Sequence, residues 1–422
     1  MSSMLQQTVK TLYNATIITM NDGFEVIEKG YLTIEGNNIT ALGKGLPENK
    51  TNLIDCSGKI IMPGFVNAHT HLPMTMYRGI ADDLPLKEWL EEHIWPAEAA
   101  RTHEDTVRSA TRLGLEEMVR TGTTTFADMY FFADAVAEET AAFGLRGVMN
   151  EGILDFPINS YKTTEEAFGK AYAFVEKWKN HPLIVPAAIF HATYTCSKET
   201  LLEVKKMAEK YNLNLSTHIS ETQHEVDLVT SQQGMTPPAY LHELGVLTNK
   251  NFNAHCVWLN DTDQELFAAN GAHVVHCPSS NLKLGSGIAP VSTYLKKGIN
   301  VALGTDGCAS NNNLDMVEEM RLAALLQKGV NHDPTLLPAR EALKMATLNG
   351  AKALGLDSII GSLETGKRAD LLIIDTNNTF MQPIYDYYSA IVYSMNSSCI
   401  ESVLVDGKVV MEEKKMQIFK RK

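Results

Sequence analysis

Eight times between Ile60 and Leu303, a short apolar run with strand character gives way to a helix-length segment of mixed polarity. The runs lie near Ile60–Val66, Thr123–Ala127, Leu145–Met149, Ile184–Phe190, Leu213–Thr217, Phe252–Ala254, Ala272–Val275 and Ile299–Leu303. Apolar strands that alternate with helices are covered on both faces, which is the pattern of a parallel sheet assembled from βα units. Eight such units are what a closed (β/α)8 barrel of the TIM type requires, and in that α/β fold the chemistry sits at the C-terminal ends of the strands. The chain has 422 residues, enough for a barrel and a second, smaller domain.

Both chain ends have a different texture. From Thr11 to Ile60, apolar stretches such as Ala15-Thr16-Ile17-Ile18 and Tyr31-Leu32-Thr33-Ile34 are broken by the turn signals Asn21-Asp22-Gly23 and Gly36-Asn37-Asn38. Similar stretches return after Ile360, in Ala369–Ile374 and Ser402–Val410, where Asp406-Gly407 joins two apolar runs as a hairpin turn. We expect residues 1–60 and 359–422 to be the two parts of a small β-sandwich domain, antiparallel in character, flanking a metal-dependent barrel at 61–358.

If the barrel reading holds, functional polar residues belong just after the runs. They occur there repeatedly: His69 and His71, Asp128, Asn150 and Glu151, His191, His218, His255, His276 and Asp306. In His69-Thr70-His71 the two imidazoles lie two residues apart on extended chain and point the same way, so both can reach one ion. Taken alone, that pair fits an inert surface strand as well as a metal site. Joined by His218 and by Asp306 in Thr305-Asp306-Gly307, it becomes a set of nitrogen and oxygen donors from three strands, suited to a catalytic zinc with a position left for water. The plainer alternatives are a satisfied core histidine at 218 and a turn aspartate at 306.

Composition narrows the class of partner. With 44% hydrophobic and 21% charged residues this is an ordinary globular chain. A formal net charge of −13, with no Lys/Arg run in the folded part, argues against nucleic acid. The basic residues at the end, Lys414-Lys415 and Lys420-Arg421-Lys422, read as a solvated tail. Six cysteines without C-x-x-C spacing disfavour a thiolate zinc site and suit a reducing compartment. Met1–Lys10 has no basic segment leading into an apolar run, and nowhere do eighteen apolar residues follow one another, so we expect a cytoplasmic protein without a membrane span. The methionines read as core filler.

Pro63–His71 after a β start, His218, His255 and Thr305-Asp306-Gly307 together resemble the amidohydrolase superfamily. Within it, Met74–Leu84, Ser279–Gly287, Ala309–Met316 and Gly361–Asp370 resemble the 5′-methylthioadenosine/S-adenosylhomocysteine deaminases, and the likeness covers essentially the whole chain. The resemblance implies hydrolysis of 5′-methylthioadenosine and/or S-adenosylhomocysteine to the inosyl product and ammonia. It also implies one Zn2+ per subunit, for which Fe2+ could substitute. A single metal is implied because Phe190-His191-Ala192-Thr193 stands where members with two metals carry a carboxylated lysine.

Bound zinc brings the pKa of its water to about 7, so the nucleophile is a zinc-bound hydroxide attacking C6. By the same resemblance Glu221 shuttles a proton to the ring nitrogen, Asp306 orients the nucleophile and helps protonate the departing ammonia, and His255 stabilises the developing charge. Glu98 accepts from the ribose hydroxyls, and His191 contacts the nucleoside. Read without the family, Glu98 and Glu221 are first-turn glutamates that suit a helix dipole, and His255 is a core histidine. His273 and His276 read as structural.

The chain departs from relatives at His191-Ala192-Thr193-Tyr194 and at Asn150, where an arginine is frequent, leaving Arg78 or Arg146 to meet a charged 5′ substituent. Rival readings keep the barrel and change the substrate to guanine, cytosine or a chlorinated triazine, or make the barrel a catalytically silent interaction scaffold. The family often forms dimers or larger closed assemblies, so a homo-oligomer is compatible.

Overall fold

The computed structural model describes residues 8–47, 50 and 52–417. Met1–Gln7 and the basic end Lys420-Arg421-Lys422 lie outside the described residues. Five strands come first: β1 (Val9–Ile18), β2 (Val26–Glu35), β3 (Asn38–Lys44), β4 (Leu53–Asp55) and β5 (Lys59–Pro63). The barrel segments are β6 (Phe65–Thr70), β7 (Thr123–Tyr130), β8 (Arg146–Glu151), β9 (Ile184–Pro186), β10 (Ala188–Ala192), β11 (Leu215–Ile219), β12 (Asn251–His255), β13 (His273–His276) and β14 (Val301–Leu303). The chain finishes with β15 (Leu371–Asp375), β16 (Ile400–Val405), β17 (Lys408–Glu412) and β18 (Lys415–Met416).

All pairings from β6 to β9 and from β10 to β14 are parallel. Segments β9 and β10 form one interrupted strand: at the break, Ala187 N–H donates to Met149 O and Ala188 N–H to Asn214 O, keeping both neighbours paired. The ring closes where Asp306 N–H, just beyond β14, donates to His69 O of β6 at 3.0 Å. The seam of this (β/α)8 barrel therefore runs between two residues predicted to be metal ligands.

Alternation along the strands sorts the side chains. Val66, Ala68, Ala127, Val148 and Ala302 form a buried cluster with Ala351 and Leu354. Phe65, Phe126, Met149 and Leu303 belong instead to the large cluster shared with the surrounding helices. Every residue of β6 and β7 is buried, the burial on two faces that an apolar strand run signals.

The run Ile60–Val66 is not one strand, as the sequence suggested. Residues 59–63 lie in the end sheet, with β5 between β1 and β15, and the barrel begins at Phe65. The chain changes sheet at Gly64, where a Cβ would stand 2.1 Å from the Thr124 side chain. Both halves of the run are buried, so hydrophobicity carries no mark of the change.

Both chain ends combine in a nine-stranded sheet of order β18-β17-β16-β15-β5-β1-β2-β3, with β4 beside β1. It is mixed rather than antiparallel throughout, because β1 runs antiparallel to β2 but parallel to β4 and β5. The Asp406-Gly407 hairpin forms as expected, with φ of 51° and 72° at its two central residues. Barrel and end sheet are joined by a buried ion pair, Arg146 Nε to Asp370 Oδ2 at 3.1 Å, whose other carboxylate oxygen accepts from Asp406 N–H at 2.7 Å. All six cysteines are buried and unpaired. Among the described residues no helix is long and apolar enough to cross a membrane.

Candidate metal centre and cleft

The ends of β6, β11 and β14 bring His69, His71, His218 and Asp306 together, with one ligand atom from each lying within 4.8 Å of all the others. Asp306 Oδ1 is 3.4 Å from His69 Nε2 and 3.1 Å from His71 Nε2. Backbone carbonyls set two of the tautomers. His71 Nδ1 meets Met129 O, and His218 Nδ1 meets His191 O at 2.8 Å. A carbonyl only accepts, so each Nδ1 carries hydrogen and each Nε2 turns its lone pair inward.

Those two inward nitrogens are 3.2 Å apart. His69 Nε2 and Asp306 Oδ1 are buried without a hydrogen-bond partner. Buried polar atoms are rarely left so, and one cation bound by all four donors would satisfy them together. The donor set therefore fits a divalent metal.

Electrostatics agree. Burial pushes the His69 imidazole down to about 4. Burial works the same way on His71, but the adjacent Asp306 carboxylate raises it to about 9. Asp306 is held well below the usual carboxylate range by His69 and His71, against its burial. The buried carboxylate thus draws positive charge toward the imidazoles, and a cation on all four donors would supply it while leaving the Nε2 lone pairs of His71 and His218 free to bind.

Asp306 is in the left-handed region, φ 60°, and its Oδ2 accepts from Ser280 Oγ at 2.6 Å and Ser310 Oγ at 2.9 Å. Both hydroxyls come from short helices that follow barrel strands, Ser280 from Pro278–Lys283 after β13 and Ser310 from Cys308–Asn311 after β14. Left-handed backbone also occurs at Ser220, His255 and Cys256, the strained positions that often cluster at functional sites.

A cleft opens over these donors. Its polar floor includes Glu98, Tyr130, His191, Glu221 and His255. Glu221 follows the end of β11, where burial pushes its carboxyl up; Oε1 accepts from Ser286 Oγ at 3.3 Å and Oε2 lies 3.7 Å from His255 Nε2. His255 Nδ1 faces Asn281 Oδ1 at 2.8 Å, which directs Nε2 toward Glu221. Burial alone would lower the His255 pKa, but the charges of Glu221 and Asp306 raise it.

Glu98 sits on the short helix Trp95–Arg101, opened by Pro96 in its first turn. Tyr130 OH donates to its Oε1 at 2.6 Å, and burial pushes the carboxyl up to about 7. Burial lowers His191 to about 3, and its Nδ1 lies 2.9 Å from Thr195 Oγ1.

Other sequence candidates lie outside this group. Asp128 accepts from Leu72 N–H at 2.6 Å, Asn150 donates to Ala187 O at 2.8 Å, and Glu151 accepts from the N–H groups of Phe132 and Ala133. His276 is buried and does not line the cleft. Neither arginine suggested for a charged substituent reaches it. Arg78 pairs with Glu117 and Asn312 O, and Arg146 is buried against Asp370.

Sequence reasoning missed Tyr130, Ser280, Asn281 and Glu225. Glu225 accepts from the backbone N–H groups of Ser220 and Glu221 at 2.9 and 2.8 Å, fixing the turn that carries Glu221. A trace was visible: Thr222-Gln223-His224-Glu225 has the form of a capping box, and Thr222 does accept from Glu225 N–H.

Residues 60–410 match the model of the Amidohydrolase family. The chain is 47% identical over 401 residues to the 5-methylthioadenosine/S-adenosylhomocysteine deaminase of Thermodesulfovibrio yellowstonii, covering 94% of this chain and 91% of that one. It is 43% identical to the 5'-deoxyadenosine deaminase of Methanosarcina mazei, covering 96% and 93% of the two. Among solved structures it superimposes with a TM-score of 0.93 and 36% identity on an adenosine deaminase from Xanthomonas campestris with bound zinc, covering 98% of this chain and 94% of that chain.

Proposed function

The chain belongs to the amidohydrolase family, metal-dependent hydrolases that here act on the C–N bonds of cyclic amidines, and from that premise we propose a zinc-dependent deaminase of adenosine-type nucleosides. The substrate class is that of the relatives: 5′-methylthioadenosine and its 5′-substituted kin. The observation that carries the reading is the convergence of His69, His71, His218 and Asp306 in one cleft with Glu221, His255 and Glu98.

In deamination water adds at C6, the bond from C6 to the exocyclic nitrogen breaks, and ammonia leaves an inosyl product. His69, His71, His218 and Asp306 would hold a divalent ion, which when bound would supply Lewis acidity and lower the pKa of water to about 7. Glu221 is placed to take a proton from the attacking water and return it at N1, the nitrogen beside C6. Its burial raises the carboxylate's affinity for a proton and so assists the first transfer, from water. His255, oriented by Asn281, supports the charge that develops at the reacting carbon. The Asp306 carboxylate, which lines the same cleft, would accept from the nucleophile and help the amine depart as ammonia.

Glu98 gives the cleft its claim on a nucleoside over a bare base. A carboxylate accepts from two vicinal hydroxyls at once, and Tyr130 fixes one of its oxygens. His191, kept neutral by burial, is available to hydrogen-bond the same ligand.

Ammonia release should be measured from 5′-methylthioadenosine, adenosine, adenine, guanine and cytosine with metal content assayed on the same protein. We expect turnover of the nucleosides and stoichiometric zinc. Turnover of a bare base alone would remove Glu98 from ribose recognition, and zinc without any ammonia would exclude deamination of these rings.

A further inference from the structure

We propose that this chain accepts adenine nucleosides whose 5′ substituent is small or apolar and discriminates against the zwitterionic tail of S-adenosylhomocysteine. The inference rests on the nucleoside reading above and deepens it.

Beyond its polar floor the cleft is walled by Leu86, Trp89, Leu90, Ile94, Trp95 and Leu154, and among the described residues no lysine or arginine lines it. Its charged side chains other than histidine are carboxylates, Glu98, Glu221 and Asp306. Ile94 and Trp95 stand four and three residues before Glu98, so they share a face of the helical segment that would hold the ribose. Trp95 is braced by Phe156, edge to face at 5.6 Å between ring centroids. A sugar held at Glu98 would therefore lie beside aromatic and aliphatic surface.

Cations that could meet a carboxylate there are engaged elsewhere. Lys283 pairs with Asp82 and Asn312, Arg78 with Glu117, and Arg146 with Asp370. Asn150 directs its amide to Ala187 O. An α-carboxylate brought into this cleft would exchange its hydration for neutral donors at best, without gaining a cation and beside carboxylates of the same sign. A methylthio group loses nothing comparable, and its sulfur gains contact with aromatic rings.

The test is kcat/KM, by ammonia release, of the metal-loaded enzyme on 5′-deoxyadenosine, 5′-methylthioadenosine, adenosine and S-adenosylhomocysteine. We expect the first two to exceed the last by about 100-fold or more, the scale on which an unpaired polar group is discriminated. Leu90→Arg, which puts a cation on the partly exposed rim of the wall, should narrow that ratio by about tenfold, the effect of one added charge-assisted contact. S-adenosylhomocysteine turned over within about fivefold of 5′-methylthioadenosine, a gap of only about 1 kcal/mol, would overturn the inference and leave the deaminase reading intact. Silence on all four nucleosides would instead overturn the deaminase reading.

Discussion

Ser280 Oγ donates to Oδ2 of Asp306 at 2.6 Å, and that hydrogen bond leaves the opposite carboxylate oxygen facing His69 and His71. Ser310 shares the task from 2.9 Å. Removing one hydroxyl frees the carboxylate to rotate. Ser280→Ala should weaken metal binding by about 10- to 100-fold, the usual cost of losing a group that orients a ligand. Competition with a chelator of known affinity would measure it, and unchanged affinity would show that Ser310 alone suffices.

Glu221 lies in the cleft but outside the four-donor set. Glu221→Gln should therefore retain full metal content while turnover falls by about 100-fold or more, the scale of general acid-base catalysis. Near-normal turnover in the metal-loaded variant would assign the proton transfers to another group.

Burial pushes the Glu98 carboxyl up to about 7, with the Tyr130 hydrogen bond and the His71 charge pulling it back. Ribose hydroxyls donate, so the ionised form is the better acceptor. Nucleoside KM should fall as pH rises through about 7, and Glu98→Gln should raise KM and flatten that dependence. A KM profile that keeps its inflection in the variant would point to a different titrating group.

A Cβ on Gly304 would stand 2.8 Å from His69 O and 2.9 Å from His69 Cβ. Gly304→Ala must therefore displace the strand that carries His69 at the barrel seam, where backbone yields little. We expect destabilisation of about 1–3 kcal/mol, as for other overpacked cores, with reduced metal content. A variant with unchanged unfolding and zinc stoichiometry would show that the seam is pliable.

Arg146 and Asp370 are each 2% exposed at their side chains, and they link the barrel to the end sheet. Arg146→Leu leaves a buried carboxylate without its guanidinium. The expected loss is about 3–5 kcal/mol in denaturant unfolding, because the remaining charge has no water to turn to. Asp370→Asn with Arg146→Leu should recover part of it, and failure to recover any would assign the loss to packing around Arg146.

Much of the site could be read along the chain because barrel geometry puts functional side chains at strand ends. His69, His71, His218, His255 and Asp306 each follow an apolar run, so strand position and residue chemistry pointed to the same residues. Glu98 is different: without the family resemblance it is a first-turn glutamate, and only its contact with Tyr130, on a strand over thirty residues later, sets it in the cleft. Glu225 left a partial trace through the capping pattern with Thr222, yet its carboxylate reaches past that position to Ser220 and Glu221.

What the sequence determined by itself was the barrel and the convergence of four candidate donors, since alternating apolar runs and helix-length segments leave few ways to bury every strand, and those donors follow the runs. Tertiary structure alone decided that Ile60–Val66 breaks at Gly64 between two sheets, that β1 runs parallel to β5, and that Arg78 and Arg146 are bound away from the cleft. It also decided which oxygen of Asp306 faces the histidines. Periodicity records whether a residue is buried, whereas sheet membership, hydrogen-bond partner and carboxylate rotamer depend on atoms brought together from distant parts of the chain, and those contacts leave no repeating mark in the sequence.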